Sequence, residues 1–323
     1  MTRRRMLWGG AVLACLAAAI VAIAAAVAHA TSPERLVRHY LTALADDDLT
    51  TAAALAGLDK ADLERWGGAP LGDASTPDVV EIVAVVDADA GGRTVIARYG
   101  ERGDDVAEVA FALERTPLGP FTQWRFAEPP VQRILVGADR HDRVRANGRT
   151  VTTELAGDVE GVAAFVPARV EVAIASPYLD GEAVRTRAGT ASAARPLVVA
   201  TTPSPRLKRL VDREVAAFLD DCVAQRVLQP AGCPFGLAVP DRLVEAPQWR
   251  VAVPAVTSVV PGARTGQWRL EGGATVRVQL TVQRLIDGVV EERDEAVVAV
   301  IRGSVVLGDD GVAVTIDPPE QEG

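Results

Sequence analysis

The spacing of apolar residues changes along this chain, and each change marks an element. Residues 6–30 hold no charged side chain, a stretch long enough to cross a hydrocarbon core, which takes about 20 helical residues. The pattern then turns helical: Leu36, Val37, Tyr40, Leu41 and Leu44 recur three and four apart, the stripe of an amphipathic helix. Ser32 suits its N-cap and Pro33 its first turn, where a missing N–H costs nothing. Asp46, Asp47 and Asp48 close this helix, and 49–58 reads as a second, short one. From 78 onward the spacing is that of strands. The runs 78–86, 93–99, 105–114 and 122–127 are β-branched or aromatic and divided by Gly, Asp and Pro. Consecutive strands joined by short turns predict an antiparallel meander, and helices lying on it an α+β unit.

Pro129 and Pro130 mark a boundary, because successive prolines disfavour both helix and central strand. Beyond them 131–185 reads as a small β module. Asn147-Gly148 has the dipeptide of a type I′ hairpin turn, and Val170, Val172 and Ile174 alternate with polar neighbours. Residues 186–203, rich in Ala, Thr, Ser and Pro, read as a linker. Ser204-Pro205 repeats the start signal of the first helix. Leu207, Leu210, Val211, Val215, Phe218, Leu219 and Cys222 then share one helical face. The rest is extended. Strands are expected around Trp249, around Trp268, over 275–286 with Val276, Val278, Leu280 and Val282 alternating, over 289–301 and over 312–316, before a polar tail at 318–323. Helix followed by strands thus occurs twice, at 32–128 and 204–317, and Gln-Trp-Arg occurs at 123, 248 and 267.

The order of a first helix ending in the Asp triplet, a short second helix, and strands closing on Gln123-Trp124-Arg125-Phe126 resembles the NTF2-like, cystatin-like superfamily. The Asn-Gly hairpin and the strand beginning Val166-Pro167 resemble the small β modules found between NTF2-like units in membrane-anchored envelope proteins of Gram-positive and actinobacterial cells. The resemblance implies an α+β chain, which here follows the cytoplasmic arginines and transmembrane anchor or signal read at 1–30. Two helix-on-antiparallel-sheet domains would follow, at 31–128 and 204–317, with the small β module between them. In that superfamily a cone-shaped cavity serves enzymes, binders and structural domains alike. The inward strand positions here read as apolar, which implies a non-catalytic domain.

Charge sets the topology. Lys and Arg are retained on the cytoplasmic side, so Arg3, Arg4 and Arg5 ahead of the apolar run place the N-terminus inside and the remainder outside. Ala28 and Ala30 flank His29 in the small-x-small form of a signal-peptidase site. Two fates are therefore open, an uncleaved anchor, which the length of the run favours, and release after cleavage. The arginines also resemble a twin-arginine signal, although ordinary positive-inside charge accounts for them.

The formal charge is −9, and three units more negative without Arg3, Arg4 and Arg5. An acidic exterior offers nothing to nucleic acid. Export gives Cys222 and Cys233 an oxidising setting, where two neighbouring cysteines favour a disulfide; a redox-active pair uses the tighter C-x-x-C spacing. The sequence holds no G-x-S-x-G elbow, S-x-x-K, H-E-x-x-H or phosphate loop. His39 reads as a surface residue. Asp139-Arg140-His141-Asp142 is the place where a histidine sits among carboxylates, too few ligands to fix a metal, and it reads as a polar loop. The Asp46–Asp48 triplet lacks the alternating ligands of a calcium loop.

These readings converge on a membrane-anchored, extracytoplasmic binding or scaffolding protein of the cell envelope. It is expected to have no catalytic activity and no cofactor or metal, to touch the membrane through one N-terminal span, and to meet a protein partner. The alternatives are a carrier or enzyme using an NTF2-like cavity, and an accessory subunit of a membrane complex.

Overall fold

The computed structural model describes residues 32–103, 105–118, 121–308 and 311–318. The apolar run 6–30, with Arg3, Arg4, Arg5, Ala28 and Ala30, lies outside the described residues. Among those described, no helix is long and apolar enough to cross a membrane.

Local chemistry starts each N-terminal helix. The Ser32 hydroxyl accepts from Arg35 N at 3.3 Å at the head of α1, Pro33–Ala45. Asp48, last of the acidic triplet, accepts from Thr51 N at 3.0 Å and caps α2, Leu49–Leu55. Asp59 and Asp62 form a reciprocal capping box on α3, Lys60–Arg65. Strands β1 (Val79–Asp87), β2 (Arg93–Glu101), β3 (Asp105–Leu118) and β4 (Phe121–Phe126) follow as an antiparallel meander. Against them α1 buries Val37, Tyr40, Leu41 and Leu44. The Tyr40 ring meets Phe126, Phe111 and Phe165 edge-on, with centroids 5.1, 6.0 and 6.2 Å away. Its hydroxyl donates to Val166 O at 2.7 Å and Pro130 O at 3.1 Å, which satisfies the buried polar tip and joins this unit to the next.

The middle of the chain is larger than a small module. It contains β5 (Val131–Ala138), β6 (Arg143–Ala146), β7 (Arg149–Thr152), β8 (Val159–Phe165), β9 (Arg169–Ile174), β10 (Leu179–Asp180), β11 (Val184–Arg187), β12 (Leu197–Val199) and β13 (Thr202–Pro203). They form sheets of order β12-β5-β8, β11-β9-β6-β7 and β10-β13 around a core that includes Ile134, Val136, Val144, Val170, Val172 and Val199. Asn147 and Gly148, with φ of 43° and 81°, make the tight turn between β6 and β7. The stretch 186–203, expected as a linker, is instead built in: β11, a 3-10 turn at Ala191–Ala194, β12 parallel to β5, and β13. Leu197 and Val199 are buried, so two well-placed aliphatic residues override an Ala/Thr-rich composition.

The last part begins with α4, Pro205–Val223, capped by Ser204, whose hydroxyl accepts from Leu207 N at 3.3 Å. Its strands are β14 (Arg242–Leu243), β15 (Gln248–Pro261), β16 (Gln267–Gln283), β17 (Val290–Gly308) and β18 (Gly311–Ile316), ordered β14-β16-β17-β18 with β15 also beside β16. Leu207, Val211, Val215 and Leu219 of α4 share a core with Trp268, Val276, Val278 and Ile301.

The expected fold class is corrected by this architecture. Among the described residues strands make up 48% against 18% helix, and the C-terminal sheet is a half-barrel, so the described chain is mainly β and not two helix-on-sheet domains around a small insert. The difference lies in strand length. β16 and β17 run for 17 and 19 residues, and paired strands of that length twist and coil, whereas β1 to β4 form a meander under α1.

Candidate functional site

Two loops of the middle unit and the β17–β18 hairpin enclose a cleft of about 500 Å³. The first loop, between β5 and β6, carries Asp139, Arg140, His141 and Asp142. It is pinned at both ends: Asp139 accepts from Thr201 N at 2.9 Å and from Thr201 Oγ1 at 2.6 Å, and Asp142 O accepts from Thr153 N at 2.8 Å. The Arg140 guanidinium reaches Gly262 O at 3.4 Å in the C-terminal unit. The second loop, Ser176-Pro177-Tyr178, is tied to the start of α4. Ser204 N donates to Tyr178 O at 3.0 Å, and Ser204 Oγ donates to Pro177 O at 3.1 Å. The Arg206 guanidinium lies 5.3 Å from the Tyr178 ring centre, a cation–π contact. Rigid neighbours therefore hold both loops.

His141, Asp142, Arg143, Ser176 and Tyr178 line the cleft with Leu307, Gly308 and Gly311. The His141 side chain is 14% exposed, with Nδ1 3.6 Å from Asp142 Oδ1, while Arg143 Nε lies 3.9 Å from the same oxygen. Burial holds the His141 pKa below the ordinary value; Asp142 draws it partly back and Arg143 pushes it down. At neutral pH the imidazole is thus uncharged, able to donate at one nitrogen and accept at the other. Ser176 Oγ accepts from Tyr178 N at 3.3 Å and is not bonded to His141, so no serine–histidine relay forms. A lining of imidazole, hydroxyls, guanidinium and one carboxylate suits a hydrogen-bonding ligand.

The other candidate residues fall elsewhere. His39 is exposed on α1, far in sequence and element from the cleft. Asp46, Asp47 and Asp48 form the turn that caps α2. Among the described residues, no group of three or more His, Cys, Asp or Glu is placed to hold a metal ion. Cys222 and Cys233 form a disulfide, with Cα atoms 5.8 Å apart. Gln225 clamps the loop between them, accepting from Ala231 N at 2.8 Å. Both cysteines are buried, which fits a structural bridge. The space between α1 and the first sheet, where a cavity enzyme would work, is filled by Tyr40, Leu44, Phe111 and Phe126.

Sequence reasoning identified His141 and Asp142 as a polar cluster but missed their neighbours in space. Ser176 and Tyr178 follow the alternating Val170, Val172 and Ile174, and no local signal ties them to a loop more than thirty positions earlier. No family model, curated protein or solved structure matches the chain. Geometry alone therefore carries the functional reading.

Proposed function

We propose that this chain is a membrane-tethered, extracytoplasmic binding protein of a bacterial envelope, which holds a small polar ligand in the cleft at His141 and Tyr178. The observation that carries the reading is the pinned, polar cleft between the middle unit and the β17–β18 hairpin. Binding sites are concave, with a few polar groups held in place to orient a ligand. The Cys222–Cys233 bridge supports an oxidising compartment, since disulfides persist outside the reducing cytosol. The arginines ahead of the run 6–30 support an inside-to-outside orientation.

The test is a thermal-shift screen of the full-length chain in detergent against amino acids, sugars and small carboxylates. At least one class raises the unfolding temperature, and Tyr178→Phe and Asp142→Asn each weaken its binding about three- to tenfold, the scale of one lost hydrogen bond. A screen with no stabilising solute, or one whose hit binds both variants unchanged, contradicts the reading.

A further inference from the structure

Helix α4 buries one face in the C-terminal core and leaves the other to solvent. The exposed face divides by charge. Arg206, Arg209 and Arg213 occupy its first half, and Glu214, Asp220 and Asp221 its second. The first turn holds no acidic residue and the last turn no basic one, so both ends oppose the helix dipole, which favours acids at the N-terminus and bases at the C-terminus. Helices α1 and α3 follow that preference, with Glu34 and Asp62 in their first turns. Arg209 and Arg213, four residues apart, also repel each other.

Nothing within the described chain offsets this layout. The ion pair on α4 joins Lys208 and Asp212, with Nζ 3.2 Å from Oδ2, on the flank that faces Thr257. None of the six charges on the exposed face makes an ion pair among the described residues; Arg206 lies over the Tyr178 ring. Such a helix is matched by a surface whose charges run the other way. We propose that this surface is α4 of a second copy of the chain, the two helices packing antiparallel through their exposed faces about a two-fold axis between Arg213 and Glu214.

A two-fold axis makes each contact twice. Arg213 then meets Glu214 of the second copy, while Arg206 and Arg209 reach its Asp221 and Asp220. Half-buried Leu210 meets exposed Ala217, a side chain small enough to let the helices approach. Antiparallel packing also sets the two dipoles head to tail. A polyanion or an acidic partner would leave Glu214, Asp220 and Asp221 against like charge, and a basic partner would do the same to the arginines. The chain itself supplies both signs in the order required. One pair of 19-residue helices buries less than the roughly 1,200 Å² at which stable interfaces begin, and exposed ion pairs are individually weak, so the association is reversible and salt-sensitive.

The test mixes donor- and acceptor-labelled copies of the full-length chain, labelled at a C-terminal tag, in detergent and reads energy transfer as concentration rises. Saturable transfer that falls with added salt is expected. Arg213→Glu and Glu214→Arg each set like charges against one another twice across the axis and weaken association about tenfold. An equimolar mixture of these two variants regains it, because the first offers two acids where the second offers two bases. Should either variant fail to fold by circular dichroism, Arg209→Glu and Asp220→Arg serve in the same design. The proposal is overturned by no transfer, by transfer that a folded variant leaves unchanged, or by a mixture that associates no more tightly than its components.

Discussion

His141 couples the cleft to pH. Its side chain is largely buried, and burial lowers its pKa below the ordinary histidine value of about 6.5. Above that value both folded and unfolded chains carry neutral imidazole, and the fold is fully stable with respect to this group. As pH falls from there toward the lowered folded-state value, the unfolded chain takes up the proton first and stability is lost; below the folded-state value the loss levels off. Urea midpoints measured in steps from pH 7.5 to 5.5 are expected to fall in wild type and to fall less in His141→Gln. Parallel curves for the two proteins would remove His141 from the account. The residue also shows how far sequence reached. His141 and Asp142 are adjacent in the chain and legible as a cluster, but Tyr178 and Leu307, which line the same cleft, come from distant segments that no local pattern announces.

Ser204 links an element to the site. Its hydroxyl caps α4 at Leu207 N and also donates to Pro177 O, so one atom starts the helix and fixes the cleft loop. Ser204→Ala is expected to cost about 1–2 kcal/mol in urea unfolding, while Ser204→Asp, which keeps the cap and loses the donor, recovers part of it. No destabilisation in Ser204→Ala would show the cap to be unimportant. Both helix starts, at Ser32 and Ser204, were legible because a cap depends on residues three apart, and the Asn147-Gly148 hairpin for the same reason. Strand order was not legible. β12 lies parallel to β5 and β14 beside β16, pairings between segments far apart in sequence. Residues 186–203 have the composition of a linker, and only Leu197 and Val199, both buried, mark the strand they form.

At the scale of the molecule, a buried ion pair fastens the first unit to the second. Arg187 Nη1 lies 3.6 Å from Asp73 Oδ2, with side chains 3% and 2% exposed, and it donates to Pro167 O at 2.8 Å. The Arg187 guanidinium also lies 5.7 Å from the Tyr99 ring centre. Burial, with the Asp73 charge beside it, raises the Tyr99 pKa, so the phenol stays neutral. Removing one member of such a pair strands the other charge, and Arg187→Met alone is expected to cost about 3–5 kcal/mol. Asp73→Leu combined with Arg187→Met restores most of that in urea unfolding; an additive double variant would show the pair to be uncoupled. The proposed function requires that the folded body and its cleft lie outside the bilayer, with 6–30 as the tether. Protease added to intact cells, followed by blotting for a C-terminal tag, tests it most directly. The account predicts loss of the tag without lysis, and Cys222 and Cys233 closed to maleimide until reductant is added. A tag lost only after lysis, with both thiols labelled in protein taken straight from cells, would contradict it.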